Sequence, residues 1–245
     1  MITKSELDNL VLQYETEDFI KDDPVRFPNR FSEKKDIEIA GFIASLVAYG
    51  RRDVFTKKLE QLFEIAQNEP YNFISNFESK ILGDFNYRFG KSEDFAQIFS
   101  VMKELYAKDG GLEELFKYGY ETNENLFVPV ADYFYSRIKY ETQGFKFMLP
   151  NPKNGGAMKR MCMFLRWMVR KGSVDLGIWD FMPTSDLLIP LDVHVARISR
   201  EMGLLKRTSN DFKAVLELTE NLRKLDSNDP IKYDFAMFGY GVNRG

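Results

Sequence analysis

Apolar positions recur at helical spacing along most of the chain. Residues 36–49 place Ile39, Phe42, Ile43, Leu46 and Val47 on one face of a 3.6-residue period, and Gly50 supplies a stop. Residues 54–66 repeat the pattern with Phe55, Leu59, Leu62, Phe63 and Ala66, and Asp53 is placed to cap them. Residues 93–107 follow with Phe95, Ile98, Phe99, Met102, Leu105 and Tyr106, closed by Gly110-Gly111. A weaker pattern covers 129–139. A clear one covers 211–225 through Phe212, Val215, Leu218, Leu222 and Leu225. No period-two series is present, and Asn154-Gly155 lacks the alternating flanks of a hairpin. The segments around Pro24–Pro28 and Pro183–Pro190 read as loops. The predicted class is all-α, without internal repeats or low-complexity tracts.

Composition narrows the function classes. At 245 residues and 44% hydrophobic, the chain can bury a full core without a disulfide or metal staple. The single cysteine, Cys162, excludes a disulfide framework, a Cys-rich zinc site and a four-cysteine iron–sulfur cluster. The single histidine, His194, excludes a multi-His metal site. No ATP loop and no flavin or nicotinamide glycine motif occurs, so no cofactor or metal is expected. There is no apolar run of membrane-spanning length and no signal region, so a cytoplasmic protein without a membrane partner is expected. The net charge of −3 is unevenly spread: residues 151–207 carry +5 and the remainder −8. A local cationic segment on an acidic protein can still meet a polyanion.

The richest segment is residues 149–170. Asn154, Gly155 and Gly156 precede a helix whose apolar stripe is Ala157, Met161, Phe164, Leu165 and Met168. Lys159, Met163, Arg166 and Arg170 fall within about 40° of one another on another face. No acid occurs in 151–171. Glycines let backbone N–H groups approach an anion, and a helix N-terminus favours negative charge. Lys153, Asn154, Gly155, Gly156, Arg160, Arg166 and Arg170 are therefore candidate contacts to a phosphate backbone. Cationic neighbours and partial burial also favour a neutral, nucleophilic lysine, for which Lys159 in the first turn is the best-placed candidate; the other reading is an ordinary exposed helix lysine. A second constellation is Asp192-Val-His194-Val-Ala-Arg197 after a proline-bearing loop. Asp192 is suited both to cap the following helix and to stabilise a developing cation, and the two roles are compatible.

The glycine turn with its lysine, followed by Asp192-Val-His194-Val-Ala-Arg197 and Gly203-Leu204, resembles the helix-hairpin-helix DNA glycosylase superfamily. The 33-residue spacing from Lys159 to Asp192 looks closer to the archaeal 8-oxoguanine glycosylases. Over most of the chain, including Tyr233-Asp-Phe-Ala-Met-Phe-Gly-Tyr-Gly241, it resembles a bacterial family of uncharacterised proteins, a domain of unknown function. The hairpin departs from the superfamily's usual Leu-Pro-Gly-Val-Gly: here Lys159 comes three residues after Gly156 instead of two.

The resemblance implies a two-lobed all-α fold with a cleft, residues 36–172 forming one lobe and 1–35 with 173–245 the other. It implies a monomer acting on double-stranded DNA with a damaged base. Lys159 would form a Schiff base with the sugar, Asp192 would assist, and an oxidised purine such as 8-oxoguanine would be the leading substrate. His194 and Arg197 would join the DNA contacts. Met163, Phe238 and Tyr240 are candidates for holding a flipped base, with Trp167, Trp179 and Asp234 also considered, and Arg51-Arg52 for touching DNA. Two alternatives stay open: a nucleic-acid-binding protein of the same fold without turnover, and a helical interaction protein whose basic face meets an acidic partner.

Overall fold

In a computed structural model, which describes residues 3–242, the chain forms helices joined by loops, the stretch between Val169 and Val193 a long one. In chain order these are α1 (Lys4–Tyr14), α2 (Glu17–Asp22), α3 (Lys34–Val47), α4 (Arg52–Ile65), α5 (Pro70–Ser75), α6 (Ser92–Lys108) and α7 (Leu112–Thr122). They continue as α8 (Phe127–Tyr135), α9 (Gln143–Met148), α10 (Lys159–Val169), α11 (Val193–Glu201), α12 (Phe212–Arg223) and α13 (Tyr233–Val242). Among the described residues there is no β-strand, only isolated bridges, so the protein is all-α. No described helix is long and apolar enough to cross a membrane.

The chain divides into two compact units. One comprises Met1–Val25 with Gly155–Gly245, and the other comprises Arg26–Asn154. The sequence-based boundaries fall instead at 35/36 and 172/173. In the Arg26–Asn154 unit, α3 is buried on every side from Ile37 to Val47, as expected of a helix apolar all round. Helices α4, α5 and α7 pack against it, and α6 packs on α5 and α9. The one carboxylate inside this stretch, Glu38, accepts a hydrogen bond from the Tyr106 hydroxyl at 2.9 Å. Its burial is tolerated because the acceptor is satisfied.

In the other unit, α13 packs against both α1 and α11. Phe235 and Phe238 of α13 meet Phe19 of α2 edge to face, at 5.3 and 6.0 Å. Helix α10 is buried from Met161 through Val169, and Cys162 lies within that core.

Several boundaries differ from the sequence reading for local reasons. The helix predicted over 54–66 begins at Arg52, and Arg51 takes the cap position. Asp53 lies in the first turn and pairs with the Arg51 guanidinium at 2.9 Å. The pattern at 129–139 is helical only to Tyr135, where Ser136 caps it. The proline-bearing segments contain single 3₁₀ turns at Pro24–Arg26, Pro28–Arg30 and Thr184–Asp186.

Candidate active site

Two helix starts build the site. Residue Met158, which precedes α10, sits in the left-handed region at φ 51°, an uncommon conformation for a side chain of its size. Its carbonyl accepts from the amides of Met161 and Cys162, both at 3.0 Å, so the chain turns sharply into helix at Lys159. The turn before it is tied to α12: the Gly155 carbonyl accepts from the Phe212 amide at 2.9 Å. Gly155 has φ +71°, which explains its glycine, and the space above Gly155 and Gly156 is open for 4 Å.

Asp192 caps α11 with one oxygen only. Its Oδ1 accepts from the amides of His194 and Val195, each at 2.8 Å. The other oxygen, Oδ2, lies 3.8 Å from the Lys159 Nζ. The cap thus fixes the carboxylate while leaving an oxygen turned to the lysine. The two side chains are 34% and 15% exposed, enough for a ligand to reach them.

Below this pair lies a buried ion network. Arg166 donates to Asp175 at 3.1 Å and also to Asp234. Arg170 donates to Asp175 at 2.9 Å, to Asp229 at 2.9 Å and to Glu15 through two nitrogens. The Phe235 ring lies 4.4 Å from the Arg166 guanidinium carbon and 5.5 Å from that of Arg170. Two guanidiniums therefore face four carboxylates. Burial pushes the Asp234 carboxyl up to about 7, and the negative charge of Asp192 adds to the rise, while Arg166 and Lys159 pull the other way. Asp234 thus couples the network electrostatically to the Lys159–Asp192 pair.

The folded protein holds a proton on Asp234 that the unfolded chain releases near the ordinary carboxylate value of 3.8. The contribution is fully present below that value and is lost as pH rises through about 7. Urea midpoints measured from pH 4.5 to 8 are expected to fall across that window through this group. The Asp234→Asn variant is expected to flatten the fall. An unchanged slope in the variant would place the proton elsewhere.

Residues 23–243 match the model of a family described as a protein of unknown function, DUF2400. The chain belongs to the DUF2400 family. No curated protein and no solved structure matches it.

Within this DUF2400 protein the candidate residues fall into four groups. Lys159, Asp192, His194 and Arg160 cluster at the two helix starts, and His194 meets the edge of Phe238 at 6.4 Å. Arg197, also on α11, is exposed but engaged by Glu201 and by the Gly241 carbonyl, both at 3.1 Å. Phe238 and Tyr240 are half-buried on α13, whereas Met163 is in the core at 6% exposure. Lys153 and Asn154 belong to the Arg26–Asn154 unit, where Lys153 pairs with Asp132 at 2.7 Å.

Arg166 and Arg170 are not the phosphate contacts that the sequence suggests. They are 3% and 4% exposed and matched by carboxylates, so they form no cationic surface for a phosphate backbone. Lys159 accordingly stands beside a carboxylate, and not among unpaired cations. Trp167 and Trp179 are likewise core residues, at 0% and 1% exposure, and neither offers a face to a base. The Trp167 indole N–H finds no acceptor. Among the described residues no group of three or more His, Cys, Asp or Glu side chains is arranged to hold a metal ion.

Proposed function

We propose that this chain is a DNA base-excision enzyme in which Lys159 is the nucleophile and Asp192 its partner, with an oxidised purine such as 8-oxoguanine the leading substrate. The observation that carries the reading is the 3.8 Å approach of Lys159 Nζ to the one Asp192 oxygen not used in capping. A neutral lysine nitrogen attacks the sugar C1′ after giving a proton to Asp192 or to water. The C1′–N bond breaks, and the base leaves with the bonding pair and takes up a proton. The aminal then expels the ring oxygen, which is protonated, leaving an iminium to Lys159. Asp192 stabilises the positive charge that develops at C1′, the point at which a fixed carboxylate has most effect. The Gly155–Gly156 turn supports a backbone grip on phosphate, since the space a side chain would fill there is open for 4 Å. In this reading a damaged base is flipped from the duplex to reach Lys159.

Borohydride trapping tests the proposal. Wild-type protein and Lys159→Gln are incubated with duplexes carrying an abasic site, 8-oxoguanine or no lesion. A covalent adduct is expected with wild type on the abasic or lesion duplex, and none with the variant. Binding without an adduct would point to a nucleic-acid-binding protein without this chemistry. Neither binding nor an adduct would remove DNA from consideration.

A further inference from the structure

The Arg26–Asn154 unit carries a surface feature that the chemistry above does not use. Tyr87 and Gly90 exchange backbone hydrogen bonds of 2.8 and 2.9 Å, which leaves Arg88 and Phe89 alone at the tip of a two-residue turn. Arg88 sits at φ 51°, a conformation that favours glycine or asparagine, yet the position holds an arginine. Phe89 is 49% exposed. Its ring begins a continuous aromatic array: Phe89 to Phe147 at 4.8 Å, Phe147 to Tyr49 at 4.7 Å, and Tyr49 to Tyr87 at 4.7 Å. The Arg88 guanidinium lies 5.8 Å from the centres of both the Tyr49 and the Phe89 rings.

Two further facts give the patch a charge. Among the described residues Arg88 makes no ion pair, unlike the buried arginines of α10. The chain also brings two more exposed cations next to it. Gly50, at φ +84°, lies so close that a Cβ there would stand 2.1 Å from an Arg88 nitrogen, and two exposed arginines follow directly, Arg51, which pairs with Asp53 at 2.9 Å, and Arg52. An exposed ring, an arginine plane over it and adjacent cations are what a stacked base with phosphates on either side requires. An apolar peptide would gain nothing from the unpaired guanidinium.

We infer that the Arg88–Phe89 turn, with Tyr49 and Phe147 beside it, is a stacking site for an unpaired base of DNA. It deepens the reading that the chain acts on DNA and rests on it. The site would favour DNA that already exposes a base, because unstacking then costs little.

Fluorescence titration tests this with 2-aminopurine oligonucleotides: a single strand, a duplex with a 2-aminopurine bulge and a fully paired duplex, at one salt concentration. Wild type is expected to prefer the first two and to quench their emission. Phe89→Ala and Arg88→Ala are expected to weaken those two complexes by about tenfold, the effect of losing one stacked base, and to change the paired duplex less than twofold. Phe89→Tyr, which keeps the ring, is expected to retain binding. Circular dichroism shows whether each variant folds, and the partial exposure of Phe89 predicts that it does. Equal binding by wild type and Phe89→Ala, or an equal loss on all three DNAs, overturns the site. The outcomes separate it from the proposed chemistry. If Phe89→Ala weakens the bulged complex while borohydride traps nothing, the stacking site stands and the lysine mechanism falls. If an adduct forms and the variants bind as wild type does, the stacking site alone falls. If wild type binds none of the three DNAs, both fall.

Discussion

Asp192→Asn is expected to fold as stably as the parent and to lose at least a hundredfold in the rate of the Lys159 adduct. The two halves of that expectation come from the two oxygens. Oδ1 accepts from the His194 and Val195 amides, and an asparagine oxygen caps a helix about as well as an aspartate. Oδ2 faces Lys159 at 3.8 Å, and there the amide supplies neither negative charge nor a site for a proton. A preorganised group aimed at developing charge contributes roughly 10²–10³ in rate. Asp192→Ala removes the cap as well and is expected to cost about 1 kcal/mol of stability. Single-turnover trapping rates beside thermal melts separate the effects. An Asn variant that traps at the parental rate would reduce Asp192 to a helix cap.

Arg170→Ala is expected to be the most damaging single change to the fold. Its guanidinium holds Glu15, Asp175 and Asp229, and Asp175 is wholly buried. Truncation leaves those carboxylates short of a partner, and removing one member of a buried ion pair costs about 3–5 kcal/mol. For a chain of this size that lowers Tm by roughly 6–20 °C. The measurement is a thermal melt followed by circular dichroism. If Arg170 were a surface contact to phosphate, the same variant would melt normally and bind DNA more weakly. A Tm within 2 °C of the parent would therefore restore the surface role and sink the structural one.

Much of the helical pattern was legible because it depends on neighbours in sequence. The apolar stripes over α3, α4, α6 and α12 are local, and so is the capping propensity of Asp192. The fate of Arg166 and Arg170 was not. A helical wheel places them on the Lys159 face, and the absence of acids in 151–171 suggests a free cationic strip. One shared partner, Asp175, is near in sequence, but the others come from Glu15, 155 residues away, from Asp229, 59 residues beyond Arg170, and from Asp234, 68 beyond Arg166. A linear charge count cannot register such pairings. One local signal was available: α10 carries apolar residues on nearly every side, which leaves little room for a solvated face. The coupling of Asp234 to the Lys159–Asp192 pair was hidden for the same reason. Arg51 displaced Asp53 from the cap because the helix gained a turn's edge, within the usual one- or two-residue freedom of helix ends.

The division of one unit between residues 1–25 and 155–245 sets a schedule for synthesis. Helix α1 emerges from the ribosome well before α13, with Leu7 and Val11 on the face that will be buried. Its packing partner α13 begins at Tyr233, so that face waits for roughly ten to forty-five seconds at about 5–20 residues per second. The Arg26–Asn154 segment has all of its own packing partners long before then and can condense while the first helix is still unpaired. The nascent chain is thus most open to wrong partners, and most in need of a holding chaperone, at helix α1 until α13 has been made.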